Sequence, residues 1–199
     1  MDSKREKILR TAEALFAKKG YDATSVEEIA NKAKVTKSLI YYYFKSKKDI
    51  LKSMFKDFEF ELLDVKKRAF KILFSTGSGY RYEEKLREIL IQITFPFLEK
   101  WKNVIKIALV EEIKYFSKGP IFTYFDFNLK IASELYEKYN LKMELSDEQK
   151  TVDFFVIFLP IIGYSVFVDE WCAHYKFDRD RVKELIADKI LLIYKEFFI

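Results

Sequence analysis

Lys37, Ser38, Tyr41 and Tyr42 stand within six residues of one another, in a stretch from Thr36 to Phe44 that holds no acid. Lysine supplies a compact positive charge, and the hydroxyls of Thr, Ser and Tyr both donate and accept hydrogen bonds. Turned outward together, such residues suit an anionic surface that also offers hydrogen-bonding and methyl-bearing edges. The major groove of a DNA duplex is a surface of that kind. Two further hydroxyl pairs sit where helices should begin. Thr24 and Ser25 each precede a glutamate by three residues, and Ser46 precedes Lys47 and Asp49. Free amides and the helix dipole at such starts attract phosphate, although capping alone calls for the same residue types.

Other chemistry has little material. Cys172 and His174 are the single cysteine and the single histidine, too few for an internal disulfide or a structural zinc site. Asp169 and Glu170 lie close by in sequence, yet a packed thiol beside a surface histidine accounts for the group without a metal. There is no glycine-rich phosphate loop and no Ser/His/Asp set, and Glu111-Glu112 reads as a solvated face. The expectation is a protein without catalytic residues, metal or cofactor.

The elements that must position the outward residues follow from apolar spacing. Ser3 and Glu6 form a capping box ahead of Ile8, Leu9, Ala12, Leu15 and Phe16, a single helix face closed by Lys18-Lys19-Gly20. Val26, Ile29, Ala30 and Ala33 mark a second, short helix after Thr24-Ser25. A third opens at Thr36 or Lys37 and runs through Ile40 to Phe44, and Ser46 and Asp49 cap a fourth. Three short helices with a tight turn between the second and third make a helix-turn-helix unit. With Ile40 and Phe44 turned inward, Lys37, Ser38, Leu39, Tyr41 and Tyr42 face out.

Charge agrees with this division. The first 56 residues carry 14 Lys/Arg against 7 Asp/Glu, whereas the other 143 carry 22 against 24. A polyanion partner for the first quarter alone is the natural reading.

Gly20-Tyr21-Asp22-Ala23-Thr24-Ser25-Val26, Ile29-Ala30, Ala33-Lys34-Val35-Thr36-Lys37-Ser38, Ile40-Tyr41-Tyr42-Tyr43-Phe44 and Lys47 resemble the DNA-binding signature of the TetR family, over roughly residues 4–52. Three positions depart from the usual pattern: the family commonly has Gly at Lys34, Gly at Ser38 and His at Tyr43. Lys34 should strain a turn that prefers a left-handed residue. The resemblance implies that Lys37 and Tyr41 approach bases and that Thr24, Ser25, Tyr42, Tyr43 and Lys47 hold phosphates. Thr36 and Ser38 complete the expected set of DNA contacts.

The remainder reads as helix throughout. Five glycines and three prolines leave few turns for a β-fold. The fourth helix should run to about Phe74, and Ser75 to Gly79 form a small-residue loop. Further helices are expected over Glu83–Lys100 with a kink at Pro96, Trp101–Phe116, Ile121–Tyr139, from Ser146 to about His174, and from Asp178 or Asp180 to near Ile199. The predicted fold is all-α, about nine helices: a helix-turn-helix domain over residues 1–46 and a helical ligand-binding and dimerisation domain over 47–199.

Relatives of this family usually bind a small molecule in the second domain, and the resemblance implies the same here. The aromatic candidates to line a cavity are Phe95, Trp101, Phe116, Phe122, Tyr124, Phe125, Phe155, Phe158, Tyr164 and Trp171, any of which also suits plain core. The last two helices are too broadly apolar to be covered on one side only. Phe155, Leu159, Ile162, Gly163, Val166, Phe167, Leu185, Ile186, Lys189 and Leu192 are the expected contacts of a two-fold homodimer. No segment comes near the roughly 20 apolar residues of a membrane span, and the first residues lack an apolar signal core, so a cytoplasmic protein is expected. The function implied is a DNA-binding transcriptional regulator, a repressor released from a palindromic operator by a small, largely apolar effector. A helical protein-interaction module without DNA function is the alternative.

Overall fold

Ser25, Thr36, Ser46 and Ser146 start helices because their side-chain oxygens accept amide hydrogens that a first turn leaves without partners. In the computed structural model, which describes residues 3–75, 82–114, 119–138 and 144–198, these four hydroxyls accept from the amides of Glu28, Leu39, Asp49 and Gln149 at 3.1–3.2 Å. Ser25, not Thr24, caps the second helix. Among the described residues there are nine helices and no strand. They are α1 (Ser3–Lys19), α2 (Val26–Ala33), α3 (Lys37–Tyr43), α4 (Lys47–Leu73), α5 (residues 82–100), α6 (Lys102–Lys114), α7 (Pro120–Lys138), α8 (Asp147–Tyr175) and α9 (Arg179–Phe198).

The chain forms two compact units: residues 1–61 with 103–121, and residues 62–102 with 122–199. In the first, α1 buries Ile8, Ala12, Leu15 and Phe16, α2 buries Ile29, Ala30 and Ala33, and Ile40, Phe44 and Ile50 close the core. Val104, Ile105, Ile107 and Ala108 of α6 are buried within the same unit. The spacing in α1 and α2 is the helix-face pattern read from the sequence. Burying each large side chain contributes about 1.5–3 kcal/mol.

Lys34 follows α2 in the left-handed conformation, with φ 55° and ψ 48°. Its amide donates to Asn31 O at 3.2 Å and the Val35 amide donates to Ala30 O at 3.0 Å, the crossed pair of bonds that ends many helices on glycine. A Cβ in this region costs about 1 kcal/mol. Lys34→Gly is therefore expected to raise stability by up to ~1 kcal/mol, read as a higher midpoint in chemical denaturation, the added freedom of the unfolded glycine offsetting part of the gain. A lower midpoint would mean that the lysine side chain contributes more than its backbone costs.

In the second unit, α5 and α8 each contain a wide π-helical turn, over Ile89–Thr94 and Asp153–Phe158. The last i→i−5 bond of each is donated by the residue before a proline: Phe95 to Leu90 O and Leu159 to Phe154 O. Pro96 and Pro160 have no amide hydrogen and crowd the carbonyl four residues earlier, so one extra residue in the turn relieves both problems. The kink expected at Pro96 takes this form, and Pro160 shows the same device. The core gathers Ile89, Leu90, Ile93, Phe95, Phe125, Phe154, Ile157, Ile162, Val168 and Ile190. Asp169, Lys102, Arg179 and Glu99 join α5, α6, α8 and α9 through bonds of 2.8 Å. The Lys102 hydrogen bond holds the Asp169 carboxyl below the usual carboxylate range. Any stability this adds is present above about pH 4 and lost as the carboxyl protonates, and partial exposure keeps it small.

Candidate nucleic-acid interface

Helix α3 sorts its side chains as the apolar spacing demands. Ile40 and Phe44, one turn apart, are buried, whereas Thr36, Lys37 and Ser38 are exposed. Tyr41 is 49% exposed and Tyr42 79%. An aromatic ring left this open on a seven-residue helix gains nothing from the core and loses contact with water only if something else covers it. Tyr43 is half-buried, its ring 5.1 Å from that of Tyr42 and edge-on to it. Thr36 Oγ1 accepts from the Leu39 amide at 3.2 Å and shares a hydrogen bond with Ser38 Oγ at 3.0 Å, which fixes both hydroxyls at the helix start. Ser25 is exposed at the start of α2.

Two residues expected at phosphates are committed elsewhere. Thr24 is 2% exposed, and its hydroxyl donates to Gly20 O at 2.9 Å, so it fastens the turn between α1 and α2 from inside. Lys47 donates from Nζ to Tyr21 O and Thr24 O, each at 2.9 Å, and to Asp22 O at 3.4 Å. The same ammonium lies 4.2 Å from the centre of the Tyr21 ring. Three carbonyls and a ring face surround this charge, so Lys47 clasps the α1–α2 turn to the first turn of α4. The sequence held no sign of this, because the acceptors are backbone atoms 23 to 26 residues upstream.

A second lysine reaches the same turn. Lys114 at the end of α6 donates to Asp22 Oδ2 at 2.9 Å and to Glu111 Oε1 at 3.2 Å, and these two carboxylates hold its ammonium above the usual lysine range. At the other end of α6, Asn103 donates to Glu13 of α1 at 3.1 Å. Helix α6 is thus bonded to α1 and to the α1–α2 turn. Glu112 Oε2 accepts the Ile121 amide at 2.8 Å, and a side chain at Gly119 would run into that carboxylate, which accounts for a glycine there.

The remaining candidates divide by exposure. Phe95, Tyr124 and Phe125 are buried, and Trp101, Phe158 and Tyr164 are half-buried. Phe122, Phe155 and Trp171 are exposed. Phe155 and Trp171 therefore face outward and do not line an interior cavity of the single chain. Phe116 lies outside the described residues. Rings nonetheless cluster: Phe122 stacks on Phe154 at 5.1 Å, Phe125 meets Phe154 at 4.9 Å and Phe158 at 5.3 Å, and Phe95 meets Tyr164 at 5.0 Å.

Of the expected dimer contacts, Phe155 is 62%, Phe167 63% and Leu192 58% exposed; Leu185 is exposed as well. Lys189 is exposed, and Leu159, Gly163, Val166 and Ile186 are half-buried. Ile162 is the exception, buried in the chain's own core. The space beside Gly163 is open. Against expectation, one helix among the described residues is long and apolar enough to cross a membrane: α8, with a mean hydropathy of 2.1 in its most apolar window, only 28% of which is buried. Pro160 and Gly163 interrupt it as sequence but not as helix, so the window average runs straight through them.

The described fold defines an all-helical protein whose first compact unit presents a helix-turn-helix with an open, acid-free third helix. Residues 8–54 match the family model described as bacterial regulatory proteins, tetR family. That segment of the chain, its helix-turn-helix head, is similar to the DNA-binding part of TetR-family regulators. It is 50% identical over 54 residues to an uncharacterized HTH-type transcriptional regulator, YuxN, of Bacillus subtilis (strain 168), a match covering 27% of this chain and 19% of YuxN. The chain thus spans about a fifth of the length of that curated relative. It is 26% identical over 156 residues, 76% of this chain and 80% of the relative, to the negative transcriptional regulator IcaR of the biofilm operon icaADBC in Staphylococcus aureus (strain Newman). The fold resembles that of the transcriptional regulator FadR from Bacillus subtilis, solved in complex with stearoyl-CoA, with a TM-score of 0.57 and 21% identity over 94% of this chain and 97% of that one.

Proposed function

We propose that this chain is a transcriptional regulator that binds palindromic DNA as a two-fold homodimer, each copy placing α3 in a major groove. The observation that carries this reading is the sorting of α3, with Ile40 and Phe44 buried beneath and Lys37, Tyr41 and Tyr42 open above. Lys37 and Tyr41 meet base edges, and Ser25, Thr36, Ser38, Tyr42 and Tyr43 meet the sugar-phosphate backbone. Residues 1–46 form the reading head, and 47–199 the effector-binding and dimerising part. The exposed apolar face of α8 and α9 is where the second copy packs, which also accounts for a helix as apolar as α8 in a protein of the cytoplasm. Two heads related by the dimer axis then address grooves one turn apart, about 34 Å.

The protein acts as a repressor, in line with the described role of IcaR, and a small, largely apolar effector in the second unit releases it. Effector binding shifts the population between two dimer geometries of different head spacing. Helix α6, bonded to α1 at Glu13 and to the α1–α2 turn at Asp22, is the element suited to carry that shift.

Selection of bound duplexes from a random pool should return a sequence with two inverted half-sites. Lys37→Ala combined with Tyr42→Ala should then abolish binding to that sequence while leaving the dimer intact by sedimentation. Affinity of the unaltered protein should fall steeply with salt, by a power of the salt concentration set by the phosphates neutralised. Full DNA affinity in the double variant would favour a protein-interaction module.

A further inference from the structure

Past Gly163, the outer face of α8 carries Phe167, Glu170, Trp171, His174 and Tyr175, spaced i, i+3, i+4, i+7 and i+8 and so aligned on one side of the helix. Together they line an open hollow of about 470 Å³, within the size range of small-molecule sites. Phe167, Trp171 and Tyr175 are each at least half exposed. The Trp171 and Tyr175 rings lie 4.4 Å apart, and His174 meets Tyr175 edge-on at 4.7 Å. Lys176 then ends α8 in the left-handed conformation, and the Phe177 amide donates to Cys172 O at 3.0 Å. This turn brings the Phe177 ring onto that of Tyr175 at 5.8 Å, nearly parallel, and holds the rings as a group.

Glu170 sets the charge of this hollow. The neighbouring Asp169 takes both Lys102 and Arg179 at 2.8 Å, whereas among the described residues the Glu170 carboxylate has neither an ion pair nor a hydrogen bond, and the lining holds no lysine or arginine. Ring faces present the negative side of the aromatic quadrupole, and the carboxylate adds a full negative charge beside them. The electrostatics of the hollow therefore favour a cation. A carboxylate among exposed rings loses water when anything covers it, which is costly unless the covering group brings a positive charge.

We propose that this hollow binds an organic cation, a quaternary or protonated amine on an apolar body, with its charge over the Trp171 and Tyr175 rings and beside Glu170. The inference rests on the effector reading given above and adds the ligand's chemistry to it. The hollow opens on the face where the second copy packs, so that copy forms its outer wall. An anion in the same place would meet the repulsion of Glu170. A neutral ligand would cover the carboxylate and leave it without a partner.

The test uses the full chain and three probes that share one ring and differ in charge: benzyltrimethylammonium, benzyl alcohol and phenylacetate, each followed by titration calorimetry. The cation should bind at least tenfold more tightly than either of the others. Glu170→Gln should erase that preference and leave benzyl alcohol unchanged. Trp171→Leu should weaken the cation several-fold and the alcohol less, because an aliphatic side chain offers no ring face. Both side chains are exposed, so neither substitution opens a cavity in the core. Equal binding of the three probes, preference for phenylacetate, or indifference of the cation to both substitutions would overturn the proposal. So would the absence of any binding, the result expected if side chains of the second copy fill the hollow. Operator binding measured without a probe keeps the two readings apart. Intact operator binding with no cation preference defeats this inference alone, whereas a Glu170-dependent preference for the cation in a protein that ignores the operator defeats the regulator reading.

Discussion

Lys47→Met is expected to lower the stability of the protein by about 2–3 kcal/mol, while a phosphate-binding lysine in the same place would leave stability unchanged. Hydrogen bonds to a charged group contribute about 1.5–3 kcal/mol each, and Lys47 makes them to the carbonyls of Tyr21, Thr24 and Asp22. The contributions do not add, because carbonyls released at the surface regain water. The ring of Tyr21 beneath the ammonium contributes a further ~0.5–1 kcal/mol. For a chain of 199 residues the loss corresponds to a fall of roughly 5–10 °C in Tm. DNA affinity should fall too, since the turn clasped by Lys47 leads into α2, but the dependence of affinity on salt should keep its slope. A slope reduced by about one, with unaltered Tm, would assign Lys47 to a phosphate. Lys47→Arg should recover only part of the stability, because a planar guanidinium cannot direct its hydrogens at three convergent carbonyls as an ammonium does.

The second large effect is expected from Phe167→Glu. Phe167 is 63% exposed in the single chain and lies one helical turn beyond Gly163, whose open side lets a second backbone approach. Removing a buried phenylalanine costs about 1.5–3 kcal/mol, two-fold symmetry applies the cost twice, and a carboxylate forced into an apolar contact adds to it. Together these exceed about 4 kcal/mol, a thousandfold in the dissociation constant of the dimer. Sedimentation should show monomers at micromolar concentration. Operator affinity should drop at least a hundredfold, because the second head is no longer delivered at high effective concentration. A variant that remains dimeric would place the two-fold contact on another face.

The reading head was largely legible in the sequence because its determinants are local. Caps at Ser25, Thr36 and Ser46, the i, i+3, i+4 spacing of Ile8, Leu15 and Phe16, and the burial of Ile40 and Phe44 under an open Lys37 and Tyr42 all depend on residues within one or two turns. The strain foreseen at Lys34 is present for the same reason. Apolar spacing fails where a proline removes an amide. Neither wide turn, over Ile89–Thr94 or Asp153–Phe158, has a signature distinct from an ordinary helix that meets a proline.

Thr24 and Lys47 mark the boundary most clearly. Both are of the residue types that hold phosphate, and both sit beside helix starts, so nothing in the neighbouring residues separates an outward role from an inward one. Sequence by itself determined that the chain is helical, where most helices begin, that a basic helix-turn-helix comes first, and which side chains of α3 stay out of the core. Only the tertiary structure decided that Lys47 spends its charge on the α1–α2 turn and that α6 joins the first unit. The physical reason is one of range. Capping and face periodicity act over a few residues of one helix, whereas the partner of a buried charge is chosen by which helices pack together, and apolar packing accepts many arrangements of equal hydrophobic content.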